Sequence, residues 1–365
     1  MKIVYDAKRF FNNSSGLGNY SRDLLRILAT FFPENQYFLL HKNRSEKGKE
    51  ILEFPNVSFV ETSKAKFARQ FSIGKEAQNL NADIFHGLSG ELPLKWNDKP
   101  IQKIVTIHDL IFERFPHYYS WFDRKIHFWK FKKAAEKADL VIAISEQTKR
   151  DIIDFLKIPE EKIRVVYQGC HLSFKEILPL EFLESTKEKF NLPERFILNV
   201  GTIEERKNLL NILKSLKDTK IPLVVVGKKQ KKYFKKIEKE IRENSVEVHF
   251  LEGVSMRELA AIYRLADIFV YPSFFEGFGI PVIEALFSET VVVTSNLSCL
   301  PEAGGPNSVY VDPKNPEDLK AKILFLWNNE SERKRRAEKG LEYAQNFTDE
   351  KIAHQMMSVY EEVLK

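Results

Sequence analysis

Short apolar runs alternate with amphipathic stretches along the whole chain. In the first half, runs over residues 3–6, 36–40, 57–60, 83–86, 104–107, 140–144 and 164–167 suit buried strands. The stretches between them carry helical spacing, as Leu24, Leu25, Ile27 and Leu28 do. The second half repeats the alternation, with strands predicted over 196–200, 222–227, 246–251, 268–271 and 291–295. Helices are predicted over 209–216 and 281–288, up to Leu265, as a pair within 316–344, and over 347–364. Apolar strands separated by helices predict parallel, doubly wound sheets with both faces covered. Residues 172–192 break the pattern: they lack strand signals and carry Pro179 among many charges, and they are read as a domain linker. The expected organisation is an α/β chain with domains over 1–175 and 192–346.

One stretch, residues 269–296, concentrates candidate chemistry. The buried run ends at Pro272-Ser273, and Gly277 and Gly279 then bracket Phe278, so the backbone can bend tightly and approach a ligand. Ile280-Pro281 leads into a helix whose free N–H groups and dipole would face that loop, a seat for phosphate at Phe278, Gly279 and Ile280. Glu276 before the helix and Glu284, placed in its first turn, flank this seat. Each also has an ordinary reading, Glu284 as an acid favoured by the helix dipole and Glu276 as a loop acid. A second anion-binding arrangement follows the strand over 196–200: Gly201, then Arg206 and Lys207, then a helix.

In the first half a strand leads through Gly16, Leu17 and Gly18 into a helix, the order that phosphate binders use; a tight turn with a cap at Asn19 or Ser21 explains it equally. Ligands of doubly wound sheets sit beyond the carboxyl ends of strands, where His86, His108 and Ser145 fall. A hydrogen-bonded loop histidine is the plain alternative for His108, and Asp109 either caps the next turn or orients it. Residues 124–137 mix cations with Ile126, Phe128, Trp129 and Phe131. A solvated helix with one buried aromatic face accounts for them; the functional alternative is peripheral contact with an anionic membrane that presents a lipid-linked acceptor. The basic run 228–239 reads as a solvated helix face rather than a nucleic-acid patch, and Ser255 with Glu258 forms a capping box.

Composition narrows the class. The chain has 365 residues, 43% hydrophobic and 30% charged, enough for two cores, and its net charge of +6 suits anionic partners without requiring nucleic acid. Only Cys170 and Cys299 occur, which excludes a disulfide framework or zinc spacing and points to a reducing cytoplasm. The N-terminus enters a strand at once, with no secretory or membrane-spanning pattern, and no D-x-D pair lies at a strand end, so no metal is required.

The segment PSFFEGFGIPVIEAL, with Glu276 and Glu284 separated by seven residues, resembles the E-x7-E motif of retaining GT-B glycosyltransferases, in particular glycosyltransferase family 4 (group 1). GLGNYSRDLL resembles that family's glycine loop, VTIHDL its strand-end histidine, GTIEERKN its G-x5-K element and SCLPEAGG its S-x-LPE-x-x-G segment. One departure is Thr202, where some members carry arginine after the glycine, which leaves more of the charge to Arg206 and Lys207. The resemblance implies two Rossmann-like domains facing a central cleft, with residues 347–365 packing back on the first. It implies transfer of a hexose from a nucleoside diphosphate sugar to a hydroxyl acceptor, a glycan or lipid-linked, with retention and no covalent intermediate, in surface polysaccharide or glycolipid synthesis. By the same resemblance His108 and Glu276 contact the transferred sugar, Glu284 the ribose and the Val254 backbone the base. Gly16, Leu17, Gly18, Gly201, Arg206 and Lys207 surround the diphosphate. Mannosyltransferase-like members favour GDP-mannose over a UDP-sugar. A nucleotide-sugar epimerase of the same fold and a non-catalytic sugar-nucleotide module remain as alternatives.

Overall fold

The computed structural model describes residues 1–13, 16–65, 68–97 and 99–365. The chain forms two compact units, one of Met1–Gly169 with Thr348–Lys365 and one of Cys170–Phe347.

The first unit is built on seven strands: β1 (Lys2–Asp6), β2 (Gln36–His41), β3 (Val57–Glu61), β4 (Ile84–Gly87), β5 (Gln102–Ile107), β6 (Leu140–Ala143) and β7 (Ile163–Val165). They pair in parallel in the order β3-β2-β1-β4-β5-β6-β7. The second unit holds β8 (Ile197–Val200), β9 (Leu223–Val226), β10 (Val248–Leu251), β11 (Ile268–Tyr271), β12 (Val292–Ser295) and β13 (Val309–Val311), again parallel, in the order β10-β9-β8-β11-β12-β13. Central strands such as β8, β11 and β12 are buried at every residue because helices cover both sheet faces. These are the Rossmann-like sheets that the alternating pattern predicts, and their order places the candidate chemistry. The chain moves outward from β8 to β10 and then returns to β11 beside β8, so a topological switch point lies between β8 and β11. Crevices at such points, beyond the strands' carboxyl ends, are where doubly wound sheets take ligands. Gly201 follows β8 directly and Pro272 follows β11.

The second core gathers Ile212, Leu213, Leu223, Val225, Ile268 and Val293, each fully buried, and each contributes roughly 1.5–3 kcal/mol by leaving water. Packing is tightest next to the switch point. A Cβ added at Gly227 would lie 1.8 Å from the Gly201 carbonyl oxygen. Gly227→Ala must therefore displace the Gly201 turn, and a loss of about 1–3 kcal/mol is expected in denaturant unfolding. Gly16→Ala, whose Cβ meets nothing within 4 Å, is the packing control and should not show that loss.

Several local expectations need correction. Residues 172–192 are not a free linker: helix Leu180–Lys189 belongs to the second unit, where Arg257 lies over the Phe182 ring at 4.7 Å and Lys189 pairs with Glu258. Thr186 is its one buried residue and Phe182 and Leu183 are half-buried, so its apolar face is too short to mark a helix by periodicity. The two glycines Gly16 and Gly18 stand in the first turn of helix Gly16–Phe31 rather than in a preceding loop. Asn19 and Ser21 do not cap it; Asn19 accepts from Arg22, and Ser21 donates to the Leu17 carbonyl at 2.7 Å. Gly18 is required because an added Cβ would meet the Asn13 carbonyl at 2.2 Å. Helix Asp349–Val363 lies in the first unit, held by an Asp349–Arg26 pair at 2.7 Å and by Tyr360. Helix Lys231–Asn244 buries Tyr233 and Ile237, and all seven lysines of the basic run 228–239 are exposed. No helix among the described residues is long and apolar enough to cross a membrane.

Candidate active site

Beyond β11 the chain turns through Pro272 and Ser273 into a loop that ends at helix Ile280–Phe287. Gly279 is the N-cap with φ +104°, a left-handed conformation that favours glycine, and a Cβ there would press on Leu300 at 2.9 Å. Pro281 brings no N–H and Val282 N–H donates to the Gly279 carbonyl at 2.9 Å, so the helix start acts on the loop chiefly through the positive end of its dipole.

Into this loop the chain folds one buried carboxylate and two cations. Glu276 accepts from Arg206 Nη1 at 2.7 Å through Oε2, and through Oε1 it pairs with Lys207 Nζ at 3.1 Å. Oε1 also accepts from Ser273 Oγ at 2.7 Å and from the Tyr271 hydroxyl at 2.8 Å, while Lys207 donates to that same hydroxyl. Burial alone would raise the Glu276 pKa, but Lys207, Arg206 and the Ser273 hydrogen bond outweigh it and hold the group at about 2. Burial lowers the Arg206 pKa, yet the neighbouring carboxylates raise it beyond its usual value. Glu276 is thus a fixed anion near neutral pH, far too weak a base to take a proton from a hydroxyl acceptor.

The cations are positioned from below. Arg206 and Lys207 end the short turn Glu205–Lys207; the next residue, Asn208, adopts φ +63° and ties that turn to the ends of two strands by donating to Pro272 O at 3.0 Å and Pro313 O at 2.7 Å. Phe274 N–H donates to the Arg206 carbonyl at 2.9 Å, and Arg206 donates to the Phe275 carbonyl at 2.6 Å, so the two loops are stitched together. Gly201, with φ +135°, lets the Lys207 stem pass closely. The Glu276 carbonyl accepts from Ser298 Oγ at 2.8 Å and Cys299 Sγ at 3.1 Å, which fastens the loop to the segment 298–305.

The second carboxylate differs in both place and charge. Glu284 stands in the second turn of its helix, not the first, so the helix dipole does not account for it. It is buried and accepts from the Tyr263 hydroxyl at 3.0 Å. Burial raises its pKa to about 7, with Tyr263 and Lys207 opposing. Between its unfolded value of 4.5 and about 7 the folded chain holds the extra proton, so this group's contribution to stability falls as pH rises through that window. Glu276 acts in the opposite sense: its contribution is present above 4.5 and is lost as pH falls toward about 2.

Other predicted residues are distributed as follows. The Phe278 side chain is buried against Phe347, with ring centroids 5.6 Å apart, so only its backbone is available to face the loop. Val254 stands in the turn between β10 and helix Met256–Leu265, whose Ser255–Glu258 capping box is formed and which carries Tyr263. In the first unit, His108 follows β5 and is half-buried; its Nε2 donates to the Leu88 carbonyl at 2.9 Å and its Nδ1 accepts from Gln168 at 3.0 Å. Burial takes its pKa down to about 4, so it is a neutral ring whose nitrogens both have protein partners. Tyr20, from the glycine helix, packs edge-on against it at 4.6 Å. Asp109 accepts the Ile111 N–H at 3.1 Å and caps the next turn, Ser145 caps helix Glu146–Asp151, and His86 is a buried core histidine bonded to Tyr360 and Thr106 at 2.7 Å each.

Tyr271, Ser273, Tyr263 and Asn208 were not singled out as site residues. Tyr271, which ends the otherwise apolar β11, is the readable clue, since a buried phenol needs a hydrogen-bond partner.

Known proteins agree with this picture. The family "Glycosyl transferases group 1" matches residues 181–343, and "Glycosyltransferase Family 4" matches residues 15–174. The chain is 26% identical to O-antigen chain mannosyltransferase B of Escherichia coli, over 99% of each chain. It is also 26% identical to the serotype-specific mannosyltransferase WbdA of the same species, over 70% of this chain but only 33% of that longer protein. Among solved structures, Anabaena HepE in complex with UDP-glucose superposes with a TM-score of 0.75 at 16% identity, covering 99% of this chain and all of that one. Two family matches in sequence over nearly the whole length, on the fold of GT-B enzymes, make the chain a member of the group 1, family 4 glycosyltransferases.

Proposed function

We propose that the chain transfers a mannosyl residue from a nucleoside diphosphate mannose to a hydroxyl of a growing surface glycan, with retention of anomeric configuration. The observation that carries this reading is the pair Arg206 and Lys207, held by Asn208 at the switch point beside the start of helix Ile280–Phe287. Departure of a nucleoside diphosphate leaves growing negative charge on its phosphates, and fixed cations with the positive end of the helix dipole stabilise that charge. The sugar is suggested by O-antigen chain mannosyltransferase B, and the nucleotide form of the donor by HepE, which is solved with UDP-glucose.

In this reading Glu276 occupies the cations until the diphosphate arrives, and its released oxygens then accept hydroxyls of the sugar. A carboxylate committed to sugar hydroxyls is not aimed at the anomeric carbon, which favours transfer on one face of the sugar over a covalent intermediate. Glu284 takes the ribose hydroxyls, the Val254 backbone reads the base, and His108, Gly16, Leu17 and Gly18 are assigned to the sugar and diphosphate on the family resemblance. Two cations supply the stabilisation that a divalent ion gives elsewhere, so turnover is expected to be unchanged by EDTA in an initial-rate assay.

Incubation with labelled GDP-mannose and UDP-sugars in the presence of a glycan acceptor tests the reading. Transfer, or slow hydrolysis without acceptor, is expected. An isomerised donor would indicate an epimerase, and binding without turnover a sugar-nucleotide module.

Glu284 adds a pH signature. If the carboxylate form receives the ribose, nucleotide affinity should rise on the order of tenfold between about pH 6 and about pH 8. Glu284→Gln should bind weakly and without that dependence, as followed by calorimetric titration.

A further inference from the structure

Helix Trp121–Lys137 of the first unit has two apolar faces where the fold needs one. The inner face is accounted for: Ala134 and Ala135 are buried, and Phe128 and Phe131 pack against the core of Val105, Ile107 and their neighbours. The outer face is not. Phe122, Ile126 and Trp129, spaced four and three residues apart, share one stripe and are exposed by 72%, 51% and 49%. Trp121 beside them is 61% exposed, its ring 5.1 Å from that of Phe122. The expectation of a single buried aromatic face is corrected here, because the aromatic residues divide between opposite sides.

The same helix carries six cations, Arg124, Lys125, Lys130, Lys132, Lys133 and Lys137, against the two acids Asp123 and Glu136. Lys125 flanks the outer stripe 5.9 Å from the Trp121 ring, and Lys133 continues the stripe one turn beyond Trp129. Among the described residues, Lys125 and Lys132 are set over aromatic rings instead of against carboxylates.

We infer that this face docks the chain on an anionic lipid bilayer, with the helix lying in the plane of the interface. Two exposed tryptophans, a phenylalanine and an isoleucine suit the headgroup–acyl boundary, where amphipathic rings settle. The lysines around them complement acidic headgroups, each strengthening binding by about fivefold near the surface. A protein partner is the less economical occupant: the stripe is one residue wide and flanked by lysines, whereas protein interfaces deplete lysine at their centre. The inference stands apart from the transferase reading, because binding to vesicles requires no turnover.

Sedimentation of the full chain with vesicles of phosphatidylcholine alone, and of phosphatidylcholine mixed with phosphatidylglycerol, tests it. Binding is expected to the acidic vesicles only and to weaken as salt is raised, since exposed charges are screened. Replacing Phe122 and Trp129 together by serine should lower the partition coefficient at least about tenfold, with circular dichroism and the melting midpoint unchanged. Lys125→Glu should weaken binding without touching the apolar stripe. Equal sedimentation of the wild type and the double variant, or none with acidic vesicles, would overturn the proposal. So would a concentration-dependent dimer that the double variant abolishes, which would give the stripe to a second copy of the chain.

Discussion

Glu276→Gln will reduce transfer by about a thousandfold and yet tighten the binding of a free nucleoside diphosphate. The two effects have one origin. In the unliganded chain Glu276 neutralises Arg206 and Lys207 directly, at 2.7 and 3.1 Å. An incoming diphosphate must compete with that carboxylate for the same donors. Glutamine keeps the shape and removes the competing charge, so the anion meets Lys207 without its carboxylate and Arg206 paired with Glu204 alone. Without ligand the variant should be less stable, because a buried pair that loses one partner costs about 3–5 kcal/mol. Nucleoside diphosphate should restore much of that loss, giving a larger rise in the melting midpoint than in the wild type. Transfer nevertheless fails, since the neutral amide no longer offers a carboxylate to the sugar. Calorimetric titration and initial rates on the same preparation separate these outcomes; weaker nucleotide binding by the variant would remove the competition argument.

The cations give the second large effect. Lys207→Ala is expected to lower kcat by about a hundredfold to a thousandfold, the loss typical of removing one preorganised donor from a developing anion. It should also leave Glu276 relying on Arg206, Tyr271 and Ser273, so acid unfolding should begin at higher pH than in the wild type. Arg206→Ala should be more damaging to stability than Lys207→Ala. Arg206 also pairs with Glu204 at 2.6 Å and bonds the Phe275 carbonyl, and its loss would leave two carboxylates and a loop carbonyl without their shared donor. Steady-state kinetics and a pH titration of unfolding check both variants.

The sheets were legible because parallel strands covered on both faces are mainly apolar, and runs such as 140–144 and 268–271 carry that mark without a break. The thirteenth strand, Val309–Val311, was passed over as a three-residue edge strand too short to signal itself. The capping box at Ser255 and Glu258 was readable for a related reason: its partners are three residues apart, so it is encoded locally. What escaped was set by tertiary contact. Ile280-Pro281 suggests a helix start at Pro281, which puts Glu284 in the first turn; the helix begins at Ile280, and the Glu284 environment depends on Tyr263 from another helix. The ion pairs of Glu276 join segments about seventy residues apart in sequence, so nothing local announces that Arg206 and Lys207 arrive already neutralised. The aromatic helix misled for a different reason, since a four-three spacing identifies a helical face but not whether that face meets a core or solvent.

The central claim is that Arg206, Lys207 and the start of helix Ile280–Phe287 together receive the donor's diphosphate, displacing Glu276. A crystal structure of the chain with bound nucleoside diphosphate sugar tests it most directly. Phosphate oxygens within hydrogen-bonding distance of Lys207 Nζ and Arg206, with the Glu276 carboxylate turned toward the sugar, are predicted. A donor seated away from the loop between Tyr271 and Ile280, with the Glu276 pairs intact, would contradict it.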